Sequence, residues 1–576
     1  MPTVADVLWK MLADAGVRRC YGIVGDALNP AIDALRRFGD IDFVHVRHEE
    51  WGVFAAVAEA KMSGRPVAVC GTAGPGVSHL INGLIDARKE GAPVIAIAGD
   101  VETAIMDTEG LEELNPYAFF NVASLYTGRL VDPKQLRAVA TSAITVALAE
   151  QGPTVIALPG DVAAADAPGE APHVTVPNPN VGPAPDADIA RMAEIIEGAD
   201  TVAIFGGEGC AMARDQVLAL ADTLKAPVGY SFKGKQWLEY GNPNAVGMTG
   251  LLGYGGCWEA INKADVLLML GTDFPYPEFL PQKDVQVVQL DRNGRRLGRR
   301  VPLAHGLVGD VGATLDRLLP QLTAKTDDKF LGKCLKKTED FDKQLQHYVD
   351  HGPSMKEIRP EYLVATLDRL ASEEAVFTFD TGTACIWGAH YLHFGPKRHM
   401  FGSLTWASMA SASPNAFGAK MAFPDRQAIA LCGDGGFTML GLGDILTEVQ
   451  RGAEIVHIIL NNSRLDFVWI EMQEAGLQPW GVDFENPDFA KVAEALGAKG
   501  IRIERPGDVE QGLKEALSHR GGPVVVDVLV DPYALSLPAH VPGEVAKGFT
   551  LSVAKQALTG HLGEVAKEAK RNFRLL

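Results

Sequence analysis

The feature that most constrains this chain is a repeated pairing of a short, wholly apolar run with a glycine-rich turn. PVAVC runs into GTAGPG, QAIALC into GDGG, and TVAIF into GGEG. Runs of Val, Ile and Ala without polar alternation predict strands buried on both faces, and helical stretches between them predict parallel sheets covered by helices on each side. Glycine at the strand ends lets the backbone come close to a ligand or to another loop. The expectation is an α/β chain of doubly wound parallel-sheet domains.

The chain has 576 residues, room for three or four units of ~100–200 residues. A first unit is read over 1–165, a proline-rich linker over 166–187, a middle unit over 188–325, a linker helix over 326–355, a last unit over 356–540, and a tail over 541–576. The first and last units echo one another: RPVAVCGTAG resembles RQAIALCGDGG, and PTVIALPGD resembles PVVVDVLVD near each unit's end. Such self-similarity predicts two units of one topology flanking a third. Seventy-two acidic against 53 basic residues give a net charge of −19, which excludes a general polyanion-binding surface and so a nucleic-acid partner. The start has no basic region followed by an apolar core, and no run reaches the ~18 apolar residues of a membrane span, which predicts a cytoplasmic protein. Seven cysteines lie far apart with no CxxC or Cys/His ligand spacing, and are expected to be reduced core thiols.

The strongest chemical motif lies in the last unit. Strand QAIALC ends in Gly433-Asp434-Gly435-Gly436, and strand EIVHIIL ends in Asn461-Asn462. A right-handed strand–helix–strand crossover brings both strand ends to one edge of the sheet, so Asp434 and Asn462 can meet. A carboxylate, an amide oxygen and a carbonyl are hard ligands, too few to enclose Ca²⁺ but suited to Mg²⁺ that also binds phosphate and water. The glycines let the backbone approach a diphosphate at a helix N-terminus. GDG alone is an ordinary turn; followed by NN after an apolar strand, it is far more specific.

With these residues the chain resembles the thiamine-diphosphate (ThDP) enzymes, and over nearly its whole length it is similar to their pyruvate oxidase branch, the quinone-reducing bacterial members above all. The resemblance implies Mg²⁺ on Asp434, Asn462 and the carbonyl of Arg464, with Gly433, Gly435 and Gly436 at the diphosphate. It also implies a glutamate on N1′ of the aminopyrimidine, which favours the imino tautomer that deprotonates the thiazolium C2; Glu49, in Arg47-His48-Glu49-Glu50, matches that position. His48 does not make this a zinc HExxH site, because the second histidine of that motif is absent. Ala407-Ser408-Met409 resembles the segment whose large apolar residue bends the cofactor, with Met409 as the wedge. Since Glu49 and Asp434 lie in different units, the cofactor bridges domains, in the family between subunits, implying a homodimer at least, or a homotetramer.

The middle unit has no full GxGxxG, and by spacing alone its glycine loops are weak evidence for a dinucleotide. The resemblance adds FAD, held by Thr249, Gly250, Leu251 and Leu252, by Thr272, Asp273, Phe274, Pro275 and Tyr276, and by Asp291. Phe467 matches an aromatic between ThDP and flavin, and Glu471 a carboxylate over the reacting carbon. Leu111 and Glu112 replace a Phe-Gln pair that relatives place against the substrate, losing an aromatic wall and adding a carboxylate. Asp466 stands where glycine is usual, and Trp406, Ala407 and Trp469 depart as well. In the tail, Leu562, Val565, Ala566, Ala569 and Phe573 fall at helical spacing with Lys567, Lys570, Arg571 and Arg574 on other faces, a pattern suited to a helix on anionic lipid or to one packed on its own protein. The resemblance implies ThDP- and FAD-dependent oxidative decarboxylation of pyruvate or a similar 2-oxo acid, with electrons passed to a quinone. The alternative is a non-redox ThDP lyase or carboligase (acetolactate-synthase-like, or a 2-oxo acid decarboxylase) whose flavin is structural or absent. A regulatory protein without catalysis fits poorly with a complete set of relay and metal residues.

Overall fold

The structure, a computed structural model, describes residues 1–175, 181–281, 283–535, 543–558 and 571–572. Among the described residues three sheets form. The first holds β1 (Arg19–Gly22), β2 (Asp42–His45), β3 (Val67–Gly71), β4 (Val94–Asp100), β5 (Tyr126–Arg129) and β6 (Thr154–Pro159). The second holds β7 (Val202–Gly206), β8 (Val228–Tyr230), β9 (Ala245–Met248), β10 (Tyr254–Gly255), β11 (Val266–Leu270), β12 (Gln286–Asp291) and β13 (His305–Val308). The third holds β14 (Val376–Phe379), β15 (His399–Gly402), β16 (Ala428–Gly433), β17 (Ile455–Asn461), β18 (Lys499–Ile503) and β19 (Val524–Leu529).

The first sheet runs β2-β1-β3-β4-β6-β5 and the third β15-β14-β16-β17-β19-β18, which is one order written twice. The sequence echo is therefore topological: β3 and β16 hold the same place, as do β6 and β19. The middle sheet runs β10-β9-β8-β7-β11-β12-β13. Without β10 this is the order of dinucleotide-binding folds, with a switch point between β7 and β11. Its one antiparallel pair, β9 with β10, departs from the all-parallel expectation. The linker helix spans Lys329–His351. All seven cysteines are buried and free, as expected.

The helix Glu49–Ser63 decides how the first and last units meet. Every residue from Trp51 to Ala60 on it is buried, so it has no solvent face and must be covered all round. Part of the cover is the helix Ala412–Ala422, whose Phe417 ring lies 5.0 Å from Trp51. The two helices cross at Gly418, where an added Cβ would sit 2.0 Å from the carbonyl oxygen of Ala55.

The helix Gly543–Leu558 packs on the helix Asp466–Glu474, with Ser552 Oγ donating to the Leu477 carbonyl at 2.6 Å. Of the four basic residues in the tail pattern, Lys567, Lys570, Arg571 and Arg574, only Arg571 is described, and it is not free for lipid. It pairs with Asp531 and with Glu357, each at 2.6 Å. Asn572 is fully buried and donates to the Tyr533 carbonyl at 2.6 Å. The other residues of the tail pattern, Leu562, Val565, Ala566, Lys567, Ala569, Lys570, Phe573 and Arg574, lie outside the described residues. Among those described, no helix is long and apolar enough to cross a membrane.

Replacing Gly418 by alanine forces the two helices apart against rigid backbone, and should destabilise the fold by about 1–3 kcal/mol or more. A urea titration reads this as a lower midpoint; an unchanged midpoint would show that the crossing is not tightly packed.

Candidate active site

Strands β16 and β17 are neighbours with Gly433 opposite Leu460, so Asp434 and Asn462 leave the sheet side by side. Asp434 is buried, 1% exposed, and its Oδ2 accepts from Ser463 N at 2.6 Å, Asn486 Nδ2 at 2.8 Å and Asn462 N at 3.0 Å. Its Oδ1 accepts from Gly435 N at 2.8 Å. Arg464 N donates to Asn462 Oδ1 at 3.1 Å, which brings Asp434, Asn462 and Arg464 into one loop. Burial pushes the Asp434 carboxyl up to about 6 even against these donors. It is a carboxylate short of a counter-charge, and the oxygens around it are of the kind Mg²⁺ takes. The chain then turns through Asp434–Gly436 into a π-helical stretch, Phe437–Gly441.

Across the switch point of this sheet, β14 ends at Asp380 and a second helix starts at Thr383–Tyr391. Gly382 at its cap has φ +147°, and a Cβ there or on Gly433 would meet no atom within 4 Å, so both loops border open space. Asp380 is buried between them. Its Oδ1 accepts from Ala412 N at 2.8 Å while Oδ2 has no hydrogen-bond partner among the described residues, and burial pushes the carboxyl up to about 7. A Cβ on Gly436 would lie 2.3 Å from that oxygen, which is why the turn carries glycine. Neither Asp380 nor Asn486 was legible in the sequence, since both act on the motif from other segments.

Glu49 opens the buried helix and is itself only 5% exposed. His48 caps that helix, its Nδ1 accepting from Glu50 N at 3.2 Å. The second histidine that the sequence spacing lacks is supplied by the fold: His79 Nδ1 lies 2.8 Å from Glu49 Oε2, and the His48 and His79 rings stack at 4.4 Å. Leu111 is exposed. Glu112 is held at φ +63°, with its Cα 2.9 Å from where a Cβ of Gly74 would be. It lines a small cavity with Gly99, Asp100 and Phe120. Asp100 is paired with Arg129 at 2.7 Å; among the described residues no cation pairs with Glu112. No hydrogen bond of the described residues joins Glu49 to the Asp434 loop of the same chain.

Between these edges runs the segment 403–411. Ala407 and Ala410 have φ of +62° and +70°, and Ser408 and Met409 are half-buried. In the middle domain the loops after β7 and β11 interlock at the switch point, a Cβ of Gly209 falling 2.7 Å from Gly271 Cα. Gly250 has φ +91°, and the buried hydroxyl of Thr249 has no hydrogen-bond partner among the described residues. Asp291, 1% exposed at the end of β12, accepts from Asn293 N at 2.8 Å. Thr272 is buried, its carbonyl accepting from Gln289 Nε2 at 3.1 Å. Asp273 is paired with Arg299 and Arg300. Phe274 is a core residue, its ring 5.2 Å from Phe205, while Pro275 is exposed. Leu251 and Leu252 are half-buried, and the Leu252 carbonyl lies 3.2 Å from His390 Nε2 on the helix Thr383–Tyr391. Burial, then the charges of Glu278 and Glu471, push the Tyr276 phenol up, so exposed Glu471, on the helix with half-buried Phe467, lies within electrostatic reach of this loop.

Three family models match in order: the N-terminal thiamine pyrophosphate (TPP) binding domain over residues 2–119, the central domain over 189–318, and the C-terminal TPP binding domain over 380–528. The Bacillus subtilis protein named "Putative thiamine pyrophosphate-containing protein YdaP" is 33% identical over 99% of both chains. The chain belongs to the thiamine pyrophosphate enzyme family. A pyruvate oxidase of Lactiplantibacillus plantarum is 28% identical, covering 90% of this chain and 87% of its own. The acetolactate synthase isozyme 3 large subunit of Escherichia coli is 26% identical, covering 94% and 96%.

The thiamine pyrophosphate enzyme fold thus joins two binding domains of one topology, and the residues present fit the cofactor. A buried, uncompensated carboxylate at Asp434, open glycine loops at Gly382 and Gly433, and a second helix N-terminus suit a metal-bound diphosphate.

Asp380 gives a pH test. Its carboxyl is raised in the fold to about 7 from an ordinary 3.8, so its contribution is full below about pH 4 and is lost as pH rises through 7. Asp380→Asn should therefore gain about 1–3 kcal/mol on the parent between pH 5 and pH 8. Paired melting curves across that range check it; a difference independent of pH would show that Asp380 is charged throughout.

Proposed function

We propose that the protein is a ThDP-, Mg²⁺- and FAD-dependent enzyme that oxidatively decarboxylates pyruvate or a similar 2-oxo acid and passes the electrons to a quinone. The observation that supports this reading is that the Glu471 carboxylate is near enough to help raise the Tyr276 phenol, which brings the helix Asp466–Glu474 into the neighbourhood of a loop of the proposed flavin site. Bound there, ThDP would supply an electron sink for decarboxylation and FAD an acceptor for the electrons released.

The chain's own residues have definite tasks in this reading. Asp434, Asn462 and the Arg464 carbonyl hold Mg²⁺, and Gly433, Gly435 and Gly436 let backbone N–H groups face the diphosphate. Glu49 takes the proton position at N1′. Its burial keeps water away, and His79 at 2.8 Å offers it a proton partner. Ala407, Ser408 and Met409 line the bend of the cofactor. Thr249, Gly250, Leu251 and Leu252 form one side of the flavin site, where the Thr249 hydroxyl, unpartnered among the described residues, suits a ligand's polar edge. Thr272 to Tyr276 and Asp291 form the other. Because Glu49 and Asp434 do not meet within one chain, we assign them to opposite partners of a homodimer or homotetramer.

A second reading, a non-redox carboligase, is supported by the acetolactate synthase, which matches at similar coverage; Glu112 bears on the substrate under either reading. An unpaired carboxylate at this place opposes a substrate carboxylate unless it holds a proton.

Purified protein carrying a yellow flavin that pyruvate bleaches without oxygen, and that a quinone restores, is the expected result. A protein without flavin, or with one that 2-oxo acids leave oxidised, would overturn the oxidase reading. Glu49→Gln should lower kcat by about 10²–10⁴-fold with Mg²⁺ and ThDP still bound; near-normal turnover would remove Glu49 from its role. Glu112→Gln should raise kcat/KM for pyruvate about tenfold, the effect of removing one nearby like charge. No change across a panel of 2-oxo acids would place Glu112 outside the substrate's reach.

A further inference from the structure

The stretch 107–112 is held in a shape that it would not keep by itself. Asp107, Glu109 and Glu112 have φ of +60°, +56° and +63°, and left-handed backbone is unfavourable for any residue but glycine. A turn of this kind gathers backbone N–H groups into a cradle for an anion. Here the anion is the chain's own. The Glu113 carboxylate accepts from Asp107 N through Oε1, and through Oε2 from Gly110 N at 3.0 Å and Thr108 N at 3.2 Å. Glu113 N in turn donates to the Gly110 carbonyl at 3.2 Å and closes the turn. The N–H groups of Asp107 and Gly110, then that of Thr108 and the charge of Arg129, hold the Glu113 carboxyl below its ordinary range, so it stays an acceptor.

The turn ends against the candidate site. An added Cβ on Gly74 would lie 2.9 Å from the Cα of Glu112 and 3.1 Å from its carbonyl oxygen, so the Glu112 backbone rests directly on that glycine. Two residues on, a Cβ of Gly76 would lie 3.4 Å from Glu49 Oε1. The short turn Gly74-Pro75-Gly76 thus borders both Glu112 and Glu49. All these groups belong to the first domain of one chain, and they stay together at one cofactor whichever copy supplies the metal loop.

We infer that Glu113 is a positioning residue for substrate selection: by filling the cradle of its own turn it seats Glu112 on Gly74, and so holds the Glu112 carboxylate at the substrate edge. The inference rests on the reading that Glu112 faces the substrate. The cradle is independent of any cofactor, because every group in it is part of the chain.

The test is a double-mutant cycle on the full-length protein with Mg²⁺, ThDP, FAD and a soluble quinone. Its readout is release of carbon dioxide from pyruvate, which either reading of the reaction gives. Glu112→Gln should raise kcat/KM about tenfold in the parent and under about threefold in Glu113→Ala, where the carboxylate is no longer held. In the cofactor-free protein, hydrogen–deuterium exchange on peptides covering 104–114 should be about tenfold faster in Glu113→Ala than in the parent. Glu113→Gln should fall between, since its one amide oxygen can take the place of Oε2 but its NH₂ group cannot accept from Asp107 N. If Glu113→Ala does not fold, Glu113→Gln carries the cycle. A gain from Glu112→Gln that is equal in both backgrounds, or exchange that Glu113→Ala leaves unchanged, would overturn the inference and leave Glu112 at the substrate. No gain in the parent across a panel of 2-oxo acids would instead take Glu112 away from the substrate, and the inference with it.

Discussion

The crossing of two buried helices at Ala55 and Gly418 is the contact on which the rest of the arrangement depends. A helix that is apolar on every side cannot be a surface element of its own domain, and it must be sandwiched. Once Glu49–Ser63 is sandwiched by the last domain, its first turn is buried too, and Glu49 is carried out of water without any loop closing over it. The side chain that needs the least solvent is thus placed by a helix buried along most of its length. A wider crossing would leave room for water along the helix and up to the carboxylate.

Electrostatics follow from the same burial. Asp86, Asp380 and Asp434 are all raised because each is taken out of water by burial, with Glu90 adding to the shift at Asp86. Asp86 and Asp380 sit next to backbone they must hold, and an uncharged acid is adequate for that. Asp434 sits at the mouth of a glycine loop, where a cation can reach it. The same physical shift therefore separates two structural acids from one candidate ligand, and it is the neighbouring space, open at Gly433 and closed at Gly436, that distinguishes them.

The long apolar strands and the GDG…NN pairing were legible because their signals are local. Edge strands were harder: β5 (YTGR) and β18 (KGIRI) are half exposed and carry charge or glycine, so they lack the continuous run that marks a central strand. The antiparallel β10 is two residues long and has no period at all. Residues that act on the site from afar were not legible. His79 reaches Glu49 across 30 positions and Asn486 reaches Asp434 across 52, with only the fold to connect them. Phe274 is expected at the cofactor from its motif, and the fold adds what the motif does not tell, that its ring packs 5.2 Å from Phe205 in the core. The tail's basic pattern said nothing of Asp531 and Glu357, which claim Arg571.

The duplicated strand order has a consequence for where a metal can sit. Counting along the paired registers, Gly71 of β3 corresponds to Gly433 of β16, which sets Thr72 in the place of Asp434 and Asp100 of β4 in the place of Asn462. The first domain thus also presents a carboxylate at this edge, but from the other strand, and Arg129 at the end of β5 is already bonded to it through two nitrogens. A guanidinium tethered to the chain occupies the neighbourhood that the last domain leaves to a diffusible ion. Of two equivalent sheet edges, one is therefore neutralised by the chain's own Arg129, and the other keeps a carboxylate without a cation of the described residues beside it.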